Sequence, residues 1–130
     1  MLIGMEVRKW NAVKEINPAD ARFRNTIIYI HFIMKLVKIV PSTDPKKKLD
    51  AHFLLDDGKN KIVRFGASDY NDFTTFPKEE REEHKERYLQ RHAKEDWTNP
   101  LKAGTLARYI LWNKPTIRGS MIDFKRRFGL

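Results

Sequence analysis

The sequence predicts an α+β fold in which a three-stranded antiparallel β-meander is followed by three helices. Three observations support this prediction. Apolar and polar residues alternate over residues 49–55, Asp57-Gly58 is a strong hairpin signal, and an apolar stripe at helical spacing runs through the last fifteen residues. An added N-terminal strand over residues 27–33 is an open extension of this scheme.

The three strands follow one another between short turns. Residues 35–40 form a β-rich run that ends at Pro41, and the turn-forming sequence 41–48 follows. The second strand has Leu49, Ala51, Phe53 and Leu55 on its apolar side. Residues 56–60 connect it to a third strand over 61–67.

The first two helices are indicated by prolines and capping residues. Pro77 and a run of glutamates predict a helix over 78–92, with Glu83 and Arg87 as an i,i+4 pair. Thr98 or Asn99 is a suitable cap for a second helix over 101–112. That helix has almost no polar face, so we expect it to be central.

The third helix is predicted to begin at Thr116. Its apolar residues Ile117, Met121, Phe124 and Phe128 recur at steps of four, three and four, which is typical of one buried helix face. The cations of this segment fall on the other faces of the helix.

The chain has the length of one domain, which we assign to residues 34–130. Residues 1–33 have no sustained periodicity before the apolar run 27–33, and we interpret them as an N-terminal arm or extension. An apolar strand of this kind can add to a neighbour's sheet, so Ile27, Tyr29 and Phe32 are candidate interface anchors.

Composition limits the cellular setting. The absence of cysteine excludes disulfides and thiolate metal sites, and it favours a reducing compartment. The longest apolar run, over residues 26–40, contains His31, Lys35 and Lys38 and is shorter than the roughly twenty residues of a spanning helix. We therefore expect no membrane span.

Motifs for catalysis or cofactor binding are absent from the sequence. The four histidines lack metal-ligand spacing, and neither a phosphate-binding glycine loop nor a nucleophile elbow occurs. We expect no enzymatic activity, no cofactor and no metal site.

The charge points to acidic partners. The net charge is +9, and residues 101–130 contribute +6 of it. Such a surface attracts nucleic acid or acidic faces of neighbouring proteins, and the charge alone does not choose between them. The candidate contacts are Lys46, Lys47, Lys48, Arg118, Lys125, Arg126 and Arg127.

Trp97 and Trp112 have two interpretations. Each lies near a predicted helix end, where an indole ring closes a core. Alternatively, each is an interface anchor, because aromatics beside arginine often carry binding energy.

Several segments occur together in a recognisable order. They are 63–67, 69–74, 87–92, 95–100, 103–104, 108–116 and 124–128. In this order they resemble a small family of basic proteins, a domain of unknown function, encoded by nucleocytoplasmic large DNA viruses such as algal and giant viruses. The resemblance covers about residues 34–130.

The resemblance implies a viral setting and transfers no catalytic residue. From it we expect a minor capsid (cement) protein of a large icosahedral double-stranded DNA virus, located in the virion and assembled in the host cytoplasm. Its partners would be the major or other minor capsid proteins, contacted through the arm and the basic surface. The alternative is a sequence-independent nucleic-acid-binding virion protein.

Overall fold

The structure, a computed structural model, describes residues 34–130, and residues 35–130 form one compact unit. Its three antiparallel strands and three following helices confirm the predicted α+β class. The predicted arm over 1–33 and the optional strand over 27–33 lie outside the described residues.

The sheet is a meander of β1 (Lys35–Pro41), β2 (Lys47–Leu54) and β3 (Asn60–Ala67), with β2 in the middle. Ala51 of β2 lies between Ile39 and Val63 of its neighbours. The alternation seen in the sequence separates buried Ala51 and Phe53 from the more exposed His52 and Leu54. The register of the outer strand β1 shifts between Leu36 and Lys38, as at a β-bulge.

Two helices begin and end close to their predicted bounds. Helix α1 spans Lys78–Arg91, with Pro77 at its N-cap. Helix α3 spans Ile117–Phe128. The Thr116 hydroxyl accepts a hydrogen bond from the Gly119 N–H at 3.0 Å, so Thr116, where the sequence predicted the helix to begin, is its N-cap.

The second helix differs from the prediction at its start. The Asn99 side-chain oxygen accepts from the Leu101 N–H at 2.9 Å, and the Asn99 carbonyl accepts from the Lys102 N–H at 3.1 Å. These bonds hold a turn where the sequence predicted the first helical turn. Helix α2 therefore begins later and spans Ala103–Leu106.

Helix α2 continues directly into a π-helical segment, Ala107–Leu111. The Trp112 N–H donates to the Ala107 carbonyl, five residues back, at 3.1 Å. This wider winding is rare in proteins and is frequent at functional sites. It turns Leu111 and Trp112 away from the positions that a regular α-helix would give them.

The core lies where β3 meets α2 and the π-helical segment, and α3 packs against the π-helical segment itself. Its fully buried side chains include Phe53 and Phe65 from the sheet and Leu106, Ile110 and Phe124 from the helices. The predicted central position of the second helix is thus correct.

Candidate functional site

A basic stripe with an apolar centre runs along α3. Arg118, Ile122 and Arg126 are four residues apart and are all exposed, so they lie on one face of the helix. Ile122 keeps 57% of its surface accessible. We call these three residues the α3 stripe.

Asp123 orients two cations near the C-terminal end of α3, Arg126 of the stripe and the neighbouring Arg127. Its carboxylate accepts hydrogen bonds from Arg126 at 2.9 Å and from Arg127 at 3.2 Å. The Asn113 amide donates to the same carboxylate at 2.7 Å. The Asn113 hydrogen bond, followed by those from the two arginines, holds the pKa of Asp123 below its usual value. One buried carboxylate therefore faces two guanidinium groups, and this end of α3 keeps a positive charge.

The other two predicted cations of α3, Lys125 and Arg127, are less available for contact with a partner. Lys125 is half-buried. The Arg127 guanidinium lies 4.4 Å from the centre of the Tyr109 ring, and that ring packs edge-on against Phe128. Arg127 is thereby held against the protein on two sides, by Asp123 and by an aromatic face.

The three lysines of the β1–β2 region do not form one patch. Lys46 and Lys47 are exposed. Lys48, in contrast, forms an ion pair with Asp72, whose side chain is only 3% accessible. The ammonium group that the sequence offered as a polyanion contact is therefore already neutralised by a carboxylate of its own chain.

The two candidate tryptophan anchors occupy different environments. Trp112 is buried and stacks on Tyr88, with ring centres 4.6 Å apart and planes 10° from parallel. Trp97 is half-buried, with the Arg108 guanidinium 5.4 Å from its ring centre. The core position thus belongs to Trp112, whereas Trp97 lies nearer the surface. The other anchors, Ile27, Tyr29 and Phe32, lie outside the described residues.

A cleft of about 570 Å³ opens between the end of β3, α1 and the α2 region. One side carries five contiguous rings, which we call the aromatic row: His84, Phe76, Trp112, Tyr88 and His92. His84 and Phe76 are stacked with planes only 2° apart. The rings attach α1 to the π-helical end of the second helix, because His84 and Tyr88 belong to α1 and Trp112 follows that segment.

Small residues line the cleft elsewhere. They are Gly66, Ala67, Ala103, Gly104 and Ala107. Gly66 has a φ of +83°, and a Cβ added there would lie 2.7 Å from Leu111 Cδ1. A larger residue at this position would be strained by the positive φ and would displace the buried Leu111 side chain, so the position favours glycine.

Most charged groups at the cleft are paired with one another. Lys48 binds Asp72, and His92 contacts Glu95 through Nδ1. Arg91, at the end of α1, lines the cleft and has no ion-pair partner among residues 34–130. Burial raises the pKa of Tyr88 to about 12, so its hydroxyl is neutral at physiological pH.

Three residues at the α3 stripe and the cleft were not among the site residues predicted from the sequence: Ile122, Asp72 and Asp123. Ile122 lies outside the apolar helix face that the sequence predicts from Ile117 to Phe128. This position indicates an exposed apolar side chain. Asp72 sits in Asp72-Phe-Thr74, where the Thr74 N–H donates to the carboxylate at 2.8 Å, a pattern typical of an Asx turn. Asp123 is the only acidic residue among residues 101–130, which marked it as the sole local partner for the cations.

Two kinds of feature are absent from the part of the chain that the structure describes. Residues 34–130 contain no group of three or more histidine, cysteine or acidic side chains that could hold a metal ion. No helix in the same range is long and apolar enough to cross a membrane.

Comparison with known proteins gives a match to a family model. No curated protein and no solved structure matches the chain. A model described as a family of unknown function (DUF5754) matches residues 37–92, which cover all but the first two residues of the sheet, cover α1, and stop before the π-helical segment. A domain of unknown function is thus found over residues 37–92 of the predicted range 34–130, and the viral origin and the basic character of the family stay predictions. Residues 37–92 of this chain carry a DUF5754 domain.

Proposed function

We propose that the chain is a non-enzymatic docking protein that binds an acidic, partly apolar surface of a neighbouring protein through the α3 stripe. The observation that carries this proposal is the exposed Ile122, flanked by Arg118 and Arg126 on one helix face. Single exposed apolar residues are common on protein surfaces. Here the side chain sits between two cations, at the centre of a surface suited to an acidic partner.

The apolar centre favours a protein partner over nucleic acid. A phosphate backbone offers charge but little apolar surface along its outside, so Ile122 would gain nothing from sequence-independent contact with it. A protein interface combines an apolar centre with a polar rim, and this combination matches the stripe. Burying an isoleucine side chain contributes about 1.5–3 kcal/mol.

The fixed arrangement of cations supports the same proposal. Asp123 and Tyr109 hold Arg127 in place, and Asp123 also orients Arg126. Ordered side chains lose less conformational entropy when they bind, so a pre-arranged guanidinium favours a specific geometry in the partner. A diffuse electrostatic contact does not require such order.

The biological setting is proposed from the sequence resemblance. In this proposal the docking protein is a minor capsid (cement) component of a large double-stranded DNA virus, and its partners are other capsid proteins. The proposed contribution of the arm, with Ile27, Tyr29 and Phe32, depends on the sequence alone.

The test compares binding to purified capsid shells and to duplex DNA across a salt series. The variant Ile122→Ser should weaken shell binding about ten-fold, since it removes the apolar side chain that the partner would bury. Ile62→Ser is the matched control, because Ile62 is also exposed, at 42%, and lies on the sheet. Replacing Arg118 and Arg126 with Gln should weaken shell binding more than the same change at Lys59 and Lys61.

The two possible partners give different patterns. Tight DNA binding with a steep salt dependence, unaffected by Ile122→Ser, would replace the docking proposal with the nucleic-acid alternative. Absence of the protein from purified particles would refute the capsid setting while leaving the docking surface open to direct measurement.

A further inference from the structure

We propose that the cleft beside the aromatic row binds a small molecule composed of a planar aromatic ring and one anionic group. This inference is independent of the α3 stripe and of the docking function. It follows from the shape of the cleft, its charges and the helix geometry at its floor.

The shape fits a flat ring. The volume, about 570 Å³, falls within the range of small-molecule sites. The aromatic row supplies stacking partners along one side, and glycine and alanine at five other positions keep the remaining space open. Aromatic rings bind other planar rings in offset-stacked or edge-on arrangements, with energies beyond those of simple burial.

The charges fit an anionic substituent. Lys48 and Asp72 neutralise each other, and Glu95 is engaged by His92. Arg91 then remains as the one cationic group that lines the cleft without an ion-pair partner among the described residues. Its guanidinium can donate two parallel hydrogen bonds to a carboxylate, sulfonate or phosphate.

The helix geometry provides a second, separate observation. The π-helical segment contributes Ala107 and Leu111 to the cleft, and Trp112 follows directly. Segments of this kind are rare in proteins and are frequent at functional sites. Gly66, whose positive φ suits glycine, lies against Leu111 of the same segment, so the backbone of β3 approaches the π-helical segment closely at this cleft.

The experiment titrates the full chain with two anionic probes, 2-naphthoate and adenosine monophosphate, and records amide and indole NMR signals. The uncharged counterparts are 2-naphthylmethanol and adenosine. We expect saturable shifts at the Gly66 and Gly104 amides and at the Trp112 indole, with the Trp97 indole unmoved. Shifts with naphthoate alone identify an aromatic acid as the ligand class, and shifts with the nucleotide alone identify a nucleotide.

Two variants test the contacts. Arg91→Gln should weaken the anionic probe about ten-fold and leave its uncharged counterpart unchanged, because one charge-assisted contact is lost. Ala103→Leu should weaken both by about ten-fold or more by filling the cleft. Arg87→Gln and Ala93→Leu are matched controls on nearby exposed positions that do not line the cleft.

The proposal is overturned by any of three results. These are no saturable shift with either anionic probe at millimolar concentration, equal binding to Ala103→Leu and to the unaltered protein, or equal weakening by Arg87→Gln and Arg91→Gln. The last result would show that the anion responds to the general field of the protein and not to a site.

Discussion

The Lys48 ammonium and the Asp72 carboxylate form an ion pair that fastens β2 to the loop after β3. Asp72 is almost inaccessible to solvent, and it also accepts hydrogen bonds from the Thr74 N–H at 2.8 Å and the Thr74 hydroxyl at 2.5 Å. The adjacent Phe73 N–H donates to the Leu111 carbonyl at 3.0 Å. One polar cluster therefore joins the sheet, the loop and the π-helical segment.

Lys48→Met should lower the free energy of unfolding by about 3 kcal/mol, because it leaves a buried carboxylate without its cation. Urea denaturation at neutral pH measures this change. Lys47→Met, at the exposed neighbouring position, should change stability by less than about 0.5 kcal/mol. If the double variant Lys48→Met, Asp72→Asn is no more stable than Lys48→Met alone, the unpaired charge is not the cause.

Gly66→Ala should destabilise the protein more than Gly58→Ala, by at least about 1 kcal/mol. Both glycines have positive φ, at +83° and +86°, so both substitutions incur backbone strain. Only at Gly66 does the new Cβ collide with Leu111, whereas nothing lies within 4 Å of a Cβ at Gly58. Thermal unfolding of the two variants gives the comparison, and equal melting temperatures would contradict the packing argument.

Tyr88 should ionise at about pH 12, since burial raises its pKa to about 12 against about 10 for an unfolded chain. Between these values the unfolded chain loses the proton first, so the contribution of Tyr88 to stability falls as pH rises from about 10 to about 12. Spectrophotometric titration of tyrosinate follows the ionisation. Tyr88→Phe should remove the ionisation phase near pH 12 and flatten the alkaline loss of stability, and an unchanged titration would refute the assignment.

Asp123→Asn should cost about 1–3 kcal/mol at pH 7, because charge-assisted hydrogen bonds to Arg126 and Arg127 are weakened. The lowered pKa of Asp123 means that its contribution is present above the unfolded value of 3.8 and is lost as pH falls through the folded value. The variant and the unaltered protein should therefore converge in acid. Asp69→Asn, at an exposed position, serves as the control; a gap that persists at low pH would exclude the charge as the cause.

Local sequence patterns were sufficient for most of the fold. The alternation around Ala51 and Phe53, the turn at Gly58 and the cap at Thr116 each act over a few residues, and each element formed close to its predicted place. The start of the second helix was wrong by two residues, because Asn99 capped a turn in place of the helix.

The candidate site depended on information that local patterns do not contain. Lys48 and Asp72 are 24 residues apart, and their pairing becomes visible only when the loop after β3 folds back. The π-helical segment differs from an α-helix by one hydrogen-bond step, which hydrophobic spacing does not resolve. In the sequence Arg91 is one of several cations on a charged helix, and only the folded structure shows that it lines the cleft together with the aromatic row.

Tyr88 and Trp112 lie on opposite sides of the boundary where the family match stops. The matched residues 37–92 contain α1 and its rings. Trp112, which stacks on Tyr88, and α2, which packs on β3, both lie beyond residue 92. A chain ending at His92 would leave these apolar surfaces in water. The cooperative folding unit is therefore longer than the segment recognised by sequence similarity, and a truncation made at the edge of the match would not give an autonomous domain.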